Sequence, residues 1–301
     1  MKRNRGAALL LVLLLVSLLS VVVVEFLRES RLEARTAANL RDALQAHALL
    51  RSGIAVGSAL LREDARDNQV DHRGEPWADV IPPVPLGDGV LAVAVHDLYG
   101  RFPLAAVLND RGEPLASRAE ALRRLLEAAA PSDADPEALA EALLDWIDAN
   151  TDGMYEENPD YTVPNRPLLD LDELRRIEGF TPEVVAAVAP HLDVRADPKV
   201  NVNTASVPVL QALHPDLGPD RAQELYDDLT ETPLERATDL KNRSAMAGLA
   251  ITRLVFEVVV ESPRFRVDLA ADVRGVNRTA QAVLERNRDE DRVRVVSWRE
   301  E

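Results

Sequence analysis

The chain has 301 residues, of which 47% are hydrophobic, and a formal net charge of -16. This length and composition indicate a folded protein with a sizeable core rather than a disordered chain. The excess of acid disfavours nucleic acid and anionic lipid as main partners, because phosphate binding depends on Lys and Arg. There are no cysteines, so a disulfide framework is excluded.

The N-terminal segment has a basic head followed by an apolar run. Lys2, Arg3 and Arg5 precede residues 7–24, which carry no charged side chain. As a helix this run would be about 27 Å long, close to the ~30 Å of a bilayer's hydrocarbon core. The positive-inside rule keeps the basic head in the cytoplasm. The segment therefore predicts a single membrane span with the rest of the chain on the outer side.

The small residues Gly6 and Ala7 lie before the apolar run, whereas a secretory signal has its cleavage site after it. Gly-Ala-x-Leu-Leu after a basic head resembles the class III signal of type IV prepilins and type II secretion pseudopilins. The resemblance implies that a prepilin peptidase cuts between Gly6 and Ala7, and that the new N-terminus is methylated. A plain single-pass anchor is the alternative reading of the same residues.

Leu11 occupies the fifth position of the expected mature chain, where most members of that family carry Glu. A carboxylate among apolar helices is costly unless a neighbour pairs with it. A subunit with no neighbour on that side would do better without the carboxylate. Leu11 therefore favours a position at the end of a filament.

A long helix continues beyond the membrane segment. No proline occurs from residue 25 to 67. Apolar residues recur at helical spacing, and Arg and Glu occupy many of the positions between them. The pattern predicts one helix from about residue 7 to residue 64. Gly53 and Gly57 would weaken it by up to ~1 kcal/mol each, so we expect them to mark close packing against a sheet.

Strands are predicted on both sides of a long helical region. One strand is predicted at VLAVAVHD (90–97), which is apolar on both faces and would be a buried strand covered on one side by the long helix. The Val-rich segments after residue 253 predict antiparallel strands with a turn near Gly275. The intervening residues are almost wholly helical in pattern. The fold class expected is α+β: a long N-terminal helix on a pilin-like antiparallel sheet, with a large all-α insertion.

The stretch DLYGRFPLAAVLND (97–110) resembles the Asp-x-x-Gly-Arg-Phe-Asn-Leu-Asn motif of the general secretion pathway protein K family, with Pro103 and Ala105 in place of asparagines. The segment VNVNTA (200–205), at the entry to the second hairpin, is also typical of that family. An α-domain inserted into a pseudopilin head is the family's plan as well. The domain boundaries expected are a leader at 1–6, a transmembrane helix at 7–24, the stalk and first part of the head at 25–110, the insertion at 111–252 and the last strands at 253–301.

The insertion contains two segments that resemble helix-hairpin-helix units, with turns at Gly179 and Gly218. Asp135 and Thr181 before Pro, and Asp170 with Glu173, are typical of helix starts. Such hairpins hold DNA phosphates in many proteins, so a membrane-anchored DNA receptor of the competence type is the alternative function. Between Pro131 and Glu173, however, thirteen Asp or Glu stand against the single Arg166.

The acidic stretch DWIDANTDGMYEENPDY opens like a calcium loop, with oxygen donors at alternate positions and Gly153 at the sixth. Pro159 replaces the final Glu of an EF-hand, so a further ligand would come from Glu157, Asp160 or Asp145. A solvated acidic loop is the alternative, but clustered carboxylates repel one another unless a cation gathers them. Members of the protein K family carry calcium in this domain. The metal ligands predicted are Asp148, Asn150, Asp152, Met154 (through its carbonyl), Glu156 and Asp160.

The sequence contains none of the nucleophile-elbow, zincin or P-loop motifs, and no catalytic residue is expected. Taken together, the resemblance implies a minor pseudopilin at the tip of a type II secretion pseudopilus, with a structural role in protein export. The partners implied are other minor pseudopilins, the prepilin peptidase and the inner-membrane assembly platform, without nucleic acid. The location implied is the Gram-negative inner membrane, with the head in the periplasm.

Overall fold

The structure is a computed structural model that describes residues 4–79, 81–151, 153, 155 and 163–300, with side chains from residue 8. Helix α1 runs from Asn4 to Asp67, three residues longer at each end than the pattern predicts. Its N-terminal part is long and apolar enough to cross a membrane and is not buried by any other part of the structure described. Its C-terminal part packs on a sheet.

The described strands are, in chain order, β1 (Val84–Leu86), β2 (Gly89–Asp97), β3 (Phe102–Pro103), β4 (Leu192–Asp193), β5 (Lys199–Asn201), β6 (Glu257–Val259), β7 (Arg264–Val273), β8 (Val276–Asn287) and β9 (Arg292–Glu300). Strands β1, β2, β7, β8 and β9 form, in that order, a five-stranded antiparallel sheet. Its one long crossover, from β2 to β7, carries the insertion. The predicted split sheet under a long helix is therefore confirmed.

Helix α1 approaches the sheet closely at its two glycines. A Cβ on Gly53 would lie 2.5 Å from Leu269 Cδ2, and one on Gly57 would lie 3.2 Å from Val267 Cγ2. The close packing expected of these glycines is confirmed. Between the helix and the sheet, Ala46, Leu50 and Leu61 meet the inner faces of β2, β7 and β8 in one apolar core.

Strand β2 is buried on one face rather than on both. Leu91, Val93 and Val95 are buried under α1, whereas Val90 on the opposite face is 40% exposed. The long helix covers one side of the strand, as expected, whereas the burial expected from its two apolar faces is incomplete, because no described helix lies over the second face. The turn between β7 and β8 uses Arg274 and Gly275, both with positive φ.

The insertion is built from short helices around its own core. They are α2 (Ala116–Ala129), α3 (Pro136–Ile147), α4 (Pro182–Val188), α5 (Val207–Leu213) and α6 (Pro219–Glu231), with 3-10 turns at Leu104–Val107, Leu171–Arg176, Ala189–His191, Ala237–Asn242, Ser244–Met246 and Ile251–Arg253. The core is continuous from Phe102 through Leu125, Leu143 and Leu210 to Phe256.

The expectation of an all-α insertion is wrong in detail. Strand β4 pairs in parallel with β3, and β5 pairs in parallel with β6, so that short parallel ladders join the insertion to its two flanking segments. Strands of two or three residues have no periodicity to read, which is why the sequence pattern does not predict them. In the first hairpin the segment before Gly179 is a 3-10 helix, Leu171–Arg176, rather than an α-helix.

The predicted helix caps form. The side chain of Asp135 accepts hydrogen bonds from the backbone N–H groups of Glu137 and Ala138, and Thr181 Oγ1 accepts one from Val184 N–H. Asp170 accepts one from Asp172 N–H. These caps fix where α3, α4 and the intervening 3-10 turn begin, so they set the geometry of the acidic loop and of the first hairpin.

Candidate functional site

No described residue outside α1 covers the apolar N-terminal part of this helix. Leu11 is 65% exposed, and the neighbouring apolar side chains from Leu9 to Leu27 are similarly bare. Gly6 and Ala7 lie inside the helical part of α1, and the structure does not describe their side chains. A helix that is exposed at its apolar end and packed on a sheet at its other end is compatible with a membrane anchor for a globular head.

The acidic loop begins where α3 ends. Asp148, which is buried, has its two carboxylate oxygens turned to Asn150: Oδ1 accepts from the backbone N–H at 3.2 Å and Oδ2 from the side-chain amide at 2.7 Å. Ala149 N–H donates to Gly112 O at 3.0 Å, which fixes the loop against the turn that precedes α2. Asp148 and Asn150, two predicted ligands, are therefore neighbours in one constrained turn.

The loop folds back on the last turn of α3. Asp145 Oδ2 accepts a hydrogen bond from Tyr155 N–H at 3.1 Å. A Cβ on Gly153 would lie 1.6 Å from Asp145 Oδ1, so only glycine fits against this carboxylate. The ring of Tyr155 is buried and meets Trp146 edge to face, with centroids 5.4 Å apart. Asp145, which the sequence offered only as one extra ligand among three, is thus an integral part of the loop.

One further oxygen points into this region. Asn165 has a positive φ of 43° and donates from Nδ2 to Asn150 O at 2.8 Å. Its Oδ1 is buried and has no hydrogen-bond partner among the described residues. A buried acceptor without a donor is destabilising unless a cation or a water satisfies it. Sequence reasoning missed Asn165, although an Asn in a proline-flanked acidic segment is a recognisable oxygen donor. The predicted ligands Asp152, Met154, Glu156 and Asp160, and the alternative Glu157, lie outside the described residues.

A second group of carboxylates lies at the end of α1, where no metal site was predicted. Asp64, Asp71 and Glu75 are buried and hold ligand oxygens within 4.8 Å of one another. Arg286 donates to both Asp64 and Asp71 at 2.5 Å, and Trp77 Nε1 donates to Glu75 at 2.6 Å. The protein's own donors therefore occupy the oxygens that a metal would need. We interpret this group as an ion-pair cluster that joins α1 to β8.

The pKa of Asp64 lies far above its ordinary value. Burial is the largest cause, followed by the charges of Glu75 and Asp71, and together they raise the pKa of Asp64 to about 7 despite the ion pair with Arg286. Arg286 shares its charge between two aspartates, so it cannot fully compensate either. His72, beside the cluster, has its pKa lowered by burial.

The two motifs that carry the family resemblance interlock at the base of the insertion. Asp97 Oδ2, at the end of β2, accepts hydrogen bonds from Asn201 Nδ2 at 3.1 Å, Thr204 Oγ1 at 2.5 Å and Ser262 Oγ at 2.6 Å. A Cβ on Gly100 would lie 2.5 Å from Thr204 Oγ1. Asp-x-x-Gly of the first motif thus fits against Asn-x-x-Thr of the second.

The turn of the first hairpin faces an acidic cleft. Gly179, with φ of 81°, lines an open cleft of about 610 Å³, together with the acidic side chains Asp133, Glu141, Glu178 and Glu183 and no basic one. This is the position at which a DNA-binding hairpin would hold a phosphate. Like charges oppose such binding. The arrangement gives no support to the competence-type alternative.

These features define a class of protein: a pilin-like head on a long N-terminal helix whose apolar part could cross a membrane, enlarged by a helical insertion. Models of the family "Type II secretion system (T2SS), protein K" match residues 100–198 and 200–258, together just over half of the chain. The chain belongs to the type II secretion system protein K family and is a minor pseudopilin.

Relatives described as type II secretion system protein K support this assignment along most of the chain. The Pseudomonas aeruginosa protein is 29% identical over 87% of this chain and 85% of its own length. The Aeromonas hydrophila protein is 28% identical over 96% and 95%, and the Klebsiella pneumoniae protein is 32% identical over 67% of each.

The fold is also similar to that of a solved structure. A chain of the crystal structure of the GspK–GspI–GspJ complex from the enterotoxigenic Escherichia coli type 2 secretion system matches with a TM-score of 0.71. The match has 20% sequence identity and covers 89% of this chain and 99% of that one. It therefore extends over the anchored head and the insertion alike.

Proposed function

We propose that this minor pseudopilin caps the tip of the secretion pseudopilus, with its head in the periplasm and in contact with other minor pseudopilins. The proposal rests on one observation: the exposed apolar part of α1 continues without a break into the part that packs on the head, and the head carries a large insertion. Helix α1 can pack among the helices of a filament, whereas the insertion adds bulk on the head that a further subunit above would have to accommodate. The related Escherichia coli complex contains GspI and GspJ beside GspK, and proteins of these kinds are the partners proposed here.

Leu11 supports the tip position. A carboxylate at that place in the mature helix would need a positive partner from the neighbouring subunit, and a terminal subunit has no neighbour on one side. Leucine avoids that cost. Because Leu11 cannot pair with a positive group of a neighbouring subunit, the chain is poorly suited to the repeating positions inside the filament.

We further propose that the acidic loop binds calcium. Asp145, Asp148 and Asn150 offer hard oxygen donors, and no residue in the described part of the chain donates to the buried Oδ1 of Asn165. Oxygen ligands of this kind suit calcium, which accepts six to eight of them in irregular geometry. The bound ion would neutralise carboxylates that repel one another and would hold the loop between α3 and the first hairpin. Its role is structural, and no catalytic step is assigned to it.

The membrane pathway is tested by the N-terminus of the protein extracted from the membranes of its native host. Intact-mass and N-terminal peptide mass spectrometry are expected to find a chain that begins at methylated Ala7. Gly6→Val should leave the precursor uncut, because the peptidase needs a small residue there, whereas Asn4→Gln serves as a control that should be processed normally. A wild-type chain that keeps Met1 would refute the class III signal.

A further inference from the structure

Arg101 stands out among the buried charged residues. It follows Gly100 directly, at the base of the insertion, and only 8% of its surface is exposed. No described residue forms a hydrogen bond or ion pair with its guanidinium group. A buried guanidinium normally has several partners, because it carries five N–H donors and a permanent charge.

The nearest carboxylates are already engaged elsewhere. Asp193 pairs with Arg195 at 2.9 Å. Asp268 pairs through Oδ2 with Arg266 at 2.9 Å, while its Oδ1 is buried without a hydrogen-bond partner among the described residues. Asp97 accepts from the donors that interlock the two motifs, as described above. These charges act on Arg101 only from a distance. Burial is the main cause that lowers the pKa of Arg101 to about 10, and the charge of Arg266 lowers it further.

Arg101 lines an open cavity of about 300 Å³ between the head and the insertion. Arg73 also lines the cavity. Its Cζ lies 4.1 Å from the ring centroid of Tyr226, and its Nη1 is buried with no hydrogen-bond partner in the part of the chain that the structure describes. His96 also lines the cavity, with its Nε2 3.2 Å from Asp268 Oδ2. Two arginines and a histidine thus meet in one cavity of a chain whose net charge is -16.

Ser206 adds a hydroxyl to the same cavity. Its Oγ lies 2.8 Å from His191 Nδ1, so when that nitrogen donates, the hydroxyl hydrogen of Ser206 is free for a ligand. Asp97 is the one carboxylate of the described lining, and its oxygens already accept hydrogen bonds from within the protein. The free hydrogen-bonding capacity of the cavity is therefore mainly that of donors.

We propose that this cavity binds a small oxyanion, a phosphate or a carboxylate, with Arg101 as its principal ligand and Arg73 and Ser206 as supporting donors. Guanidinium groups match such anions because two N–H groups can reach two oxygens at once. The cavity spans the junction of the head and the insertion, so the bound anion would hold these parts together. This site is separate from the acidic loop and does not depend on calcium.

Binding of inorganic phosphate to the full chain in detergent tests the proposal by calorimetry, in a buffer of matched ionic strength without other oxyanions. The wild type is expected to show saturable binding. Arg101→Met should weaken it by at least about tenfold, because one charge-assisted pair of hydrogen bonds is lost. Arg176→Met, at an exposed arginine of the hairpin, should bind as the wild type does. No saturable binding of any oxyanion by the wild type, or equal binding by Arg101→Met, would overturn the proposal.

A second variant covers the case in which Arg101→Met does not fold. Ser206→Asp places a carboxylate in the cavity, so it should abolish phosphate binding while keeping the melting temperature at or above that of the wild type without phosphate. Unchanged phosphate binding by Ser206→Asp would also overturn the proposal.

The source of the anion is distinguished by two further probes. A short peptide with a free C-terminal carboxylate is compared with the same peptide as its amide. Binding of phosphate but of neither peptide identifies a free small anion. Binding of the acid at least about tenfold more tightly than the amide identifies a carboxylate carried by a protein chain.

Discussion

Tyr155 in the acidic loop accepts, through its hydroxyl oxygen, a hydrogen bond of 2.8 Å from the backbone N–H of Glu178 in the turn of the first hairpin. The same residue donates its own backbone N–H to Asp145. Tyr155 therefore connects the proposed calcium loop to the hairpin turn that carries Gly179. We therefore expect a ligand that orders the acidic loop to order the turn at Gly179 as well.

Tyr155→Phe should destabilise the protein by about 1 kcal/mol, because the N–H of Glu178 loses its acceptor while the ring contact with Trp146 remains. Chemical denaturation measures the change. Tyr226→Phe is the matched control, since the hydroxyl of Tyr226 makes no hydrogen bond with the described residues. If both variants lose the same stability, the bond between the loop and the hairpin has no special role.

Calcium should raise the melting temperature of the wild type, because an ion that binds only the folded state stabilises it by RT ln(1 + [L]/Kd), about 2.7 kcal/mol at a hundredfold excess over Kd. Asp148→Ala should remove most of this rise. Asn165→Ala should reduce it, since its buried Oδ1 is a proposed ligand. Asp133→Ala, an exposed carboxylate outside the loop, is the control. A rise that is unchanged in Asp148→Ala would remove that residue from the site.

Gly100→Ala should cost about 2 kcal/mol, because the new methyl group would lie 2.5 Å from Thr204 Oγ1 and 2.8 Å from the backbone of the same residue. The methyl group can be accommodated only if the second motif shifts away from the first. Gly218→Ala is the control, since no atom lies within 4 Å of a Cβ there. It should change the free energy of unfolding by less than about 0.5 kcal/mol. Equal effects of the two changes would contradict the interlocking of the motifs.

The ion-pair cluster at the end of α1 makes stability depend on pH. Since the pKa of Asp64 is raised to about 7 in the folded state, the folded protein binds the proton more tightly than the unfolded chain does. The contribution of Asp64 is therefore most favourable at low pH and is lost as the pH rises towards 7, on the order of 2 kcal/mol between about pH 5 and 7.

Asp64→Asn should flatten this part of the stability profile, because the amide does not titrate. Asp110→Asn, at an exposed residue far from the cluster, should leave the slope as it is. Denaturation curves at a series of pH values compare the three proteins. A slope that survives in Asp64→Asn would assign it to another group.

The main outline of the fold could be predicted from the sequence because its signals are local. The unbroken helical pattern predicts α1, the alternation of β2 and the C-terminal strands predicts the sheet, and the two glycines predict the close approach of the helix. The caps at Asp135 and Thr181 act within a few residues and are equally readable. Each of these features depends on neighbours in the sequence.

Features that depend on distant residues could not be predicted in this way. The parallel pairs β3–β4 and β5–β6 consist of strands too short to show periodicity. The joining of Asp64 to Arg286 brings together residues 222 apart in the sequence. Asn165 belongs to the acidic loop through folding rather than spacing, and the hydrogen bond of Asp145 with Tyr155 N–H was not predicted although Asp145 was offered as a ligand. The motif signals at Asp97 and Asn201 were visible, but their mutual contact was not.

Whether the chain is a single capping subunit among other minor pseudopilins is decided by its copy number. A tagged and an untagged full-length chain are produced together in the native host, and the tagged form is purified from detergent-extracted membranes. We expect other minor pseudopilins to be recovered with the tagged chain and the untagged copy to be absent. Recovery of the untagged chain in comparable amount, or of no other pseudopilin, would refute a single capping position.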